Sequence, residues 1–129
     1  TASSIVLQVA YESDALLAQY LSLHYGPLDR VYPASLGLQP SDGLLADALD
    51  FPRKLAECLS TWAQRVGATP SDDASSPGQT VRALDLGCAV GRSSFELSRV
   101  FSEVVGVDIS KTFIEVSTKM RDVGHIEYE

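Results

Sequence analysis

Two carboxylates flanking a glycine-rich stretch are the residues best suited to chemistry in this chain. Asp85 lies two residues before Gly87 in the run DLGCAVG (85–91), and Asp108 follows 17 residues after Gly91. Glycines let a backbone approach a ligand closely, and a helix that starts after such a turn directs free N–H groups toward it. An acid at the tip of the next strand is suited to accept hydrogen bonds from both hydroxyls of a ribose. The pattern therefore predicts an adenosine-type cofactor at the carboxyl ends of two neighbouring strands.

The spacing of the small residues and the charge of Asp85 favour S-adenosylmethionine (SAM) over NAD. A dinucleotide-binding turn requires G-x-G-x-x-G, but Arg92 occupies the position of the third glycine. The shorter pattern Gly87-x-Ala89-x-Gly91 fits with one replacement. A carboxylate before the first glycine would repel a pyrophosphate, whereas it suits a ligand that carries an ammonium and a sulfonium group. The alternative is a glycine turn with a purely structural role.

Hydrophobic spacing predicts alternating strands and helices around this turn. The predicted elements are a strand over 81–86, a helix over 92–101, a strand over 103–108, a helix over 110–123 capped by Ser110 and ended by Gly124, and the beginning of a further strand over 125–129. Such alternation is typical of an α/β fold, a Rossmann-like parallel sheet with flanking helices.

Two helices are predicted upstream of the sheet. The first spans about 13–25 and ends at Gly26-Pro27, where the glycine is expected to turn left-handed. The second follows Asp50, the expected cap, and presents a continuous apolar stripe that is expected to form core: Phe51, Leu55, Cys58, Leu59, Trp62 and Val66. The chain thus divides into an N-terminal helical segment (1–67), a linker or loop (68–80) and the first half of a Rossmann-like domain (81–129).

Composition and charge narrow the choice of partners. The net charge of −7 disfavours nucleic acid or an anionic membrane as the partner. No apolar run reaches the roughly 18 residues of a membrane span. Cys58 and Cys88 do not resemble a disulfide framework, which favours reduced thiols and a cytoplasmic location. His24 and His125 are too few and too far apart for a metal site.

The sequence resembles a known family in several places. The stretch ALDLGCAVGRSSFELSRVFSEVVGVDISKTFI (83–114) resembles the first two motifs of class I SAM-dependent methyltransferases. Together with YESD (11–14), LSLHYG (21–26) and FP (51–52), it is more specifically similar to the mercaptohistidine N-methyltransferases of ovothiol biosynthesis, which occur alone or as the C-terminal domain of a sulfoxide synthase. The resemblance covers most of the chain outside 27–49 and 68–80.

The resemblance implies a reaction and a set of binding residues. The reaction is methyl transfer from SAM to an imidazole nitrogen of a thiol-bearing histidine, and it requires no nucleophilic side chain. Asp85 and the turn would hold the methionine end of SAM, Asp108 the ribose and Ile109 the adenine. The implied cofactor-binding residues are Asp85, Gly87, Cys88, Ala89, Gly91, Asp108 and Ile109.

Two further side chains are candidates for contacting the substrate. Tyr11 lies at the start of the first helix, where it would act as part of a lid or simply pack in an amphipathic face. Arg92 opens the helix after the glycine turn, where it would bind a carboxylate or remain a solvated charge.

The Rossmann-like half is expected to lack the strands that normally lie beyond the first one. The sequence would then be a fragment or one piece of a longer protein, and residues 81–86 would expose an apolar edge that invites self-association. Three alternatives stay open: a SAM-binding fragment without turnover, a small-molecule methyltransferase with another acceptor, and a nicotinamide-dependent dehydrogenase.

Overall fold

The computed structural model describes residues 11–27, 31, 37, 50–68 and 80–127. Its elements, in chain order, are helix α1 (Asp14–Tyr25), helix α2 (Phe51–Arg65), strand β1 (Arg82–Leu86), helix α3 (Arg92–Leu97), strand β2 (Glu103–Val107) and helix α4 (Lys111–Val123). The predicted order of strands and helices after residue 80 is confirmed as far as α4. Of the predicted linker, only residues 68 and 80 belong to the described part of the chain.

Strands β1 and β2 pair in parallel, with Arg82 opposite Glu103 and Leu86 opposite Val107. Side chains alternate along a strand, so each strand presents one face to the helices and one away from them. Leu86 is on the uncovered face and is 74% exposed, whereas Asp85 is half-buried beneath the helices. A two-stranded parallel sheet with flanking helices is a partial Rossmann-like fold, as predicted.

The predicted further strand is wrong for residues 125–127, which form no strand in the structure. A strand is stabilised by a ladder of hydrogen bonds to a neighbour. Ile126 instead packs against the core cluster that contains Phe113, next to the end of α4. Residues 128 and 129 lie outside the described residues.

Helix α1 begins and ends where the sequence predicted, but its end has a different geometry. Ser13 caps it by accepting a hydrogen bond from Leu16 N–H at 3.3 Å. Gly26 is not left-handed: its φ is −65° and its ψ is 150°, which is the extended shape that a following proline imposes. A Cβ at Gly26 would lie 2.3 Å from the carbonyl oxygen of Ser22. Close approach to the helix, rather than a positive φ, therefore requires glycine here.

Helix α2 buries a different face from the predicted one. The buried side chains are Ala56, Ser60 and Ala63. The predicted apolar stripe is exposed, Trp62 to 62%, so the expectation that it forms core is wrong. The small residues allow α2 to approach Leu97 and Phe101 closely, and Ala56 and Ala63 form one core cluster with them.

Asp50 occupies the N-cap position of α2, as predicted, but its side chain does not cap the helix. Asp50 has a left-handed backbone (φ 58°) and makes no side-chain capping hydrogen bond. Its carboxylate is instead paired with Arg53, one turn into the helix, and with Arg92 at 3.7 Å.

Helix α3 is shorter than predicted, whereas α4 matches its prediction. α3 ends at Leu97, and the hydroxyl of Ser98 donates to the carbonyl oxygen of Phe95 at 2.7 Å; serine hydroxyls compete in this way for backbone groups of a helix. α4 starts after Ser110, whose hydroxyl oxygen accepts from Phe113 N–H at 3.1 Å, and it ends at Gly124 with φ 84°.

The core cluster nearest the strand tips joins three separate parts of the chain. Leu21 comes from α1, Ala89 and Val90 from the turn after β1, and Phe113 from α4, and all four are buried. Burial of apolar surface stabilises such contacts by about 25 cal/mol per Å². This cluster fixes α1 and α4 around the carboxyl ends of the two strands.

Candidate cofactor-binding site

The turn after β1 is held in an unusual backbone shape and is tied to the tip of β2. Gly87, Ala89 and Gly91 all have positive φ, at 78°, 46° and 85°. The N–H groups of Gly87 and Cys88 both donate to the carbonyl oxygen of Val107, at 2.7 and 3.1 Å. Residues that carry a Cβ are disfavoured at positive φ by roughly 1–2 kcal/mol, which explains glycine at positions 87 and 91 and leaves Ala89 strained.

Asp108, directly after β2, holds the turn and the start of α4 together. Its Oδ2 accepts from Ala89 N–H and its Oδ1 accepts from Ser110 N–H, each at 2.9 Å. A carboxylate offers about four acceptor positions. These two bonds therefore leave Asp108 able to accept from the hydroxyls of a ligand.

A cavity of about 600 Å³ opens at the carboxyl ends of the strands. It is lined by Tyr11, Tyr20, Leu86, Gly87, Ala89, Val107, Asp108, Ile109 and Phe113. Five of these side chains or backbone positions belong to the predicted site: Tyr11, Gly87, Ala89, Asp108 and Ile109. The structure therefore brings together the acid predicted to bind the ribose, part of the turn, the predicted adenine contact and one predicted substrate residue.

Cys88 and Gly91 do not line the larger cavity, and their predicted contact with the cofactor stays a prediction. Both are buried and line a smaller cavity of about 270 Å³ between α3, β2 and α4. Burial, with Asp85 and Asp108 nearby, raises the pKa of the Cys88 thiol to about 11. Only the backbone of these two residues is left to serve a ligand in the larger cavity.

The carboxylate of Asp85 is engaged at the start of α3 and does not line the larger cavity. Its Oδ2 accepts from the hydroxyls of Ser93 and Ser94, both at 2.6 Å. Each of these serines lies in the first turn of α3. Asp85 therefore fixes β1 to α3 just behind the turn, and a contact with the methionine end of SAM stays a prediction.

Arg92 is enclosed by protein groups rather than solvated. It pairs with Glu96 at 3.3 Å and with Asp50 at 3.7 Å, and its guanidinium lies 5.4 Å from the ring centre of Tyr25. Tyr25 in turn donates to the carbonyl oxygen of Val90 at 3.0 Å, and burial raises the pKa of its hydroxyl. Arg92 Nε is buried without a hydrogen-bond partner, so its N–H group is an unused donor.

A contact between the start of α1 and the start of α4 was not predicted. The carboxylate of Glu12 accepts from Lys111 N–H at 2.8 Å, from Thr112 N–H at 3.0 Å and from the Thr112 hydroxyl. The Thr112 hydroxyl is the main cause of a lowered pKa of Glu12. Ser110 adds a hydrogen bond to the carbonyl oxygen of Tyr11 at 3.0 Å. No local sequence signal marks a partner about a hundred residues away.

Two aromatic residues, Tyr20 and Phe113, complete the wall of the cavity, and neither was among the predicted site residues. Tyr20 lies with its ring centre 4.7 Å from that of Phe113, and Tyr11 meets Phe113 edge-on at 6.3 Å. Desolvation is the main cause of a raised pKa of Tyr20. The helical spacing of Tyr20 on α1 was visible in the sequence. Its position in the same cavity as Asp108 depends on how α1 packs.

In open parallel sheets of this kind, nucleotide-type cofactors are ordinarily bound at the carboxyl ends of the strands, which is where the cavity lies. Residues 84–128 match a family described as methyltransferase domain. That match supports a class I SAM-dependent methyltransferase over this part of the chain, from β1 through α4. A search of curated proteins finds no match.

The cavity has the size and the wall chemistry that are typical of small-molecule sites. Ligand pockets typically enclose about 300–1,000 Å³ and combine apolar walls with a few polar groups. Here Asp108 supplies free acceptor positions, and Ile109 presents an exposed apolar side chain beside it. Among the described residues, no helix is long and apolar enough to cross a membrane, and no group of three metal-ligating side chains occurs.

Proposed function

We propose that this protein binds SAM in the cavity at the strand tips and transfers its methyl group to a small molecule. The observation that carries the proposal is the single wall formed by Asp108, Ile109 and the backbone of Gly87 and Ala89. The methyltransferase-domain match over 84–128 supports it independently.

Each residue of the site has a distinct task in this proposal. Asp108 accepts hydrogen bonds from the ribose hydroxyls, Ile109 packs on the adenine, and the turn accommodates the methionine end. Asp85 attracts the ammonium group through its negative charge from behind the turn, since its carboxylate does not line the cavity. When bound, SAM supplies a methyl group on a cationic sulfonium; the protein contributes orientation and exclusion of water, and no side-chain nucleophile is needed.

The proposed acceptor is an imidazole nitrogen of a mercaptohistidine. Its support is the resemblance in 11–14, 21–26, 51–52 and 83–114. Tyr11 lines the cavity and is the first candidate to contact this acceptor. Arg92, whose Nε has no partner, is the candidate for its carboxylate.

Calorimetry with SAM and NAD, followed by a transfer assay with labelled SAM, tests the proposal. We expect SAM to bind and NAD to give no heat. Asp108→Asn should weaken SAM binding by about tenfold to a hundredfold, because hydrogen bonds to a charged acceptor contribute roughly 1.5–3 kcal/mol. Asp14→Asn, an exposed acid of the first turn of α1, is the matched control. NAD binding that depends on Asp108 would instead support a dehydrogenase.

A SAM-binding protein without turnover of its own is the second candidate function. It is favoured by the exposed face of the sheet, where Leu84 and Leu86 are uncovered, because parallel sheets ordinarily have both faces covered. Tight SAM binding combined with no transfer to thiolhistidine, or to a panel of other small acceptors, would favour it. We further propose a cytoplasmic location. We also propose self-association through the edge of β1, and light scattering tests this self-association directly.

A further inference from the structure

Glu12 connects the start of α1 to the cofactor edge through a defined set of contacts. We name this set the Glu12 clasp: the Glu12 carboxylate with the backbone N–H groups of Lys111 and Thr112 and the Thr112 hydroxyl. The clasp joins residues that are about a hundred positions apart in the sequence, and Glu12 is half-buried.

The clasp occupies backbone groups that a helix normally leaves unpaired. The first N–H groups of a helix have no partner within it. In α4, Ser110 satisfies Phe113 N–H, while Glu12 satisfies the two N–H groups before it. A carboxylate is also favoured here because the amino end of a helix carries partial positive charge. Glu12 thus complements the serine cap rather than duplicating it.

The clasp determines where Tyr11 stands. Tyr11 precedes Glu12 directly, its carbonyl oxygen is held by the Ser110 hydroxyl, and its ring lines the cavity edge-on to Phe113. Ser110 is at the same time bonded to Asp108 through its N–H. One short stretch of chain, 108–112, therefore fixes both an acid and an aromatic residue that line the cavity.

We infer that Glu12 is a positioning residue for ligand binding: through the clasp it holds Tyr11 against the cavity and thereby sets the affinity for the adenosyl ligand. This inference rests on the proposed function for the identity of the ligand, but the clasp itself is tested without any ligand. Glu12 touches no bound group in this scheme and acts only through Tyr11.

The first experiment measures amide hydrogen exchange in the ligand-free protein. Glu12→Gln should accelerate exchange of the Lys111 and Thr112 amides, because a neutral amide oxygen accepts more weakly than a carboxylate. Asp14→Asn, two residues further along the chain, should leave both amides protected. Unchanged protection in Glu12→Gln would overturn the inference whatever the ligand is.

The second experiment is a double-mutant cycle on SAM affinity by calorimetry. We expect Glu12→Gln to weaken binding about three- to tenfold, less than Asp108→Asn because Glu12 acts only through Tyr11, and Asp14→Asn to leave it unchanged. In a Tyr11→Ala background the same substitution should have little further effect, because residues that act as a unit are not additive. Additive losses, or a lower melting temperature with unchanged affinity, would mean that Glu12 is merely structural.

Absence of SAM binding by the unmodified chain would refute the proposed function, while the exchange experiment would still decide whether the clasp exists.

Discussion

Helices α4 and α2 are both amphipathic, yet α4 buries its large aromatic residue and α2 exposes its own. Phe113 of α4 is 1% exposed, whereas Trp62 of α2 is 62% exposed. Phe113 packs with Leu21 of α1 and Val90 of the turn. Trp62 lies on the face of α2 opposite to the one that meets α3, because the contact with α3 is made through Ala56 and Ala63.

The difference teaches that hydrophobic periodicity identifies the apolar face of a helix, but not the element against which that face packs. An apolar stripe is buried only where another element supplies a complementary surface. α4 has such a surface because α1 and the turn converge on it. α2 meets α3 through small residues, since these allow two helices to approach closely. The cavity at the strand tips depends on the first arrangement and not on the second.

Replacing the two aromatic residues should give the largest contrast in stability. Phe113→Ala is expected to lower the free energy of unfolding by about 3–5 kcal/mol, because it leaves a hole in a closed core. Trp62→Ala should change it by no more than about 0.5 kcal/mol, as is usual at exposed positions. Urea denaturation followed by circular dichroism measures both. A loss at Trp62 as large as that at Phe113 would mean that the stripe on α2 is buried in solution.

Enlarging the buried small face of α2 is expected to have the next largest effect. Ala63→Leu should destabilise the protein by about 1–3 kcal/mol, because added atoms force the helices apart. Leu59→Ala, on the exposed face of the same helix, is the matched control and should be nearly neutral. The reverse order of effects would restore the face that the sequence predicted as core.

Local patterns predicted what depends on neighbouring residues. Ser110 as a helix cap, Gly124 as a helix end, and the two strands were all visible in short stretches of sequence, and the structure confirms them. The proximity of Asp108, Ile109 and the turn was also predictable from the sequence, because consecutive parallel strands end at the same edge of a sheet.

Long-range packing accounts for what the sequence did not predict. The partner of Glu12 is about a hundred residues away, and the position of Tyr20 depends on the docking of α1. Asp50 looked like a cap by its type and place, but pairing with Arg53 and Arg92 competes for its carboxylate. Except for the local pair of Asp50 with Arg53, each deciding contact joins elements that no periodicity relates to one another.

The glycine turn offers the smallest and most finely balanced test of how local preference meets packing. Ala89 has φ 46° and is buried among the core residues nearest the cavity. Ala89→Gly would relieve roughly 1–2 kcal/mol of left-handed strain. It would also add about 0.5–1 kcal/mol of chain entropy to be lost on folding, and it would remove a buried methyl that contributes about 0.8 kcal/mol. These terms nearly cancel, so we expect the free energy of unfolding to stay within about 0.5 kcal/mol of its original value. Gly87→Ala is the matched comparison, since its φ is 78° and no atom lies within 4 Å of the added Cβ; strain of roughly 1–2 kcal/mol, offset by about 0.5–1 kcal/mol of chain entropy that is no longer lost, should destabilise it by about 0.5–1 kcal/mol. Urea denaturation of both variants measures the difference, and a gain above about 1 kcal/mol in Ala89→Gly would show that the methyl of Ala89 contributes little to the packing around the cavity.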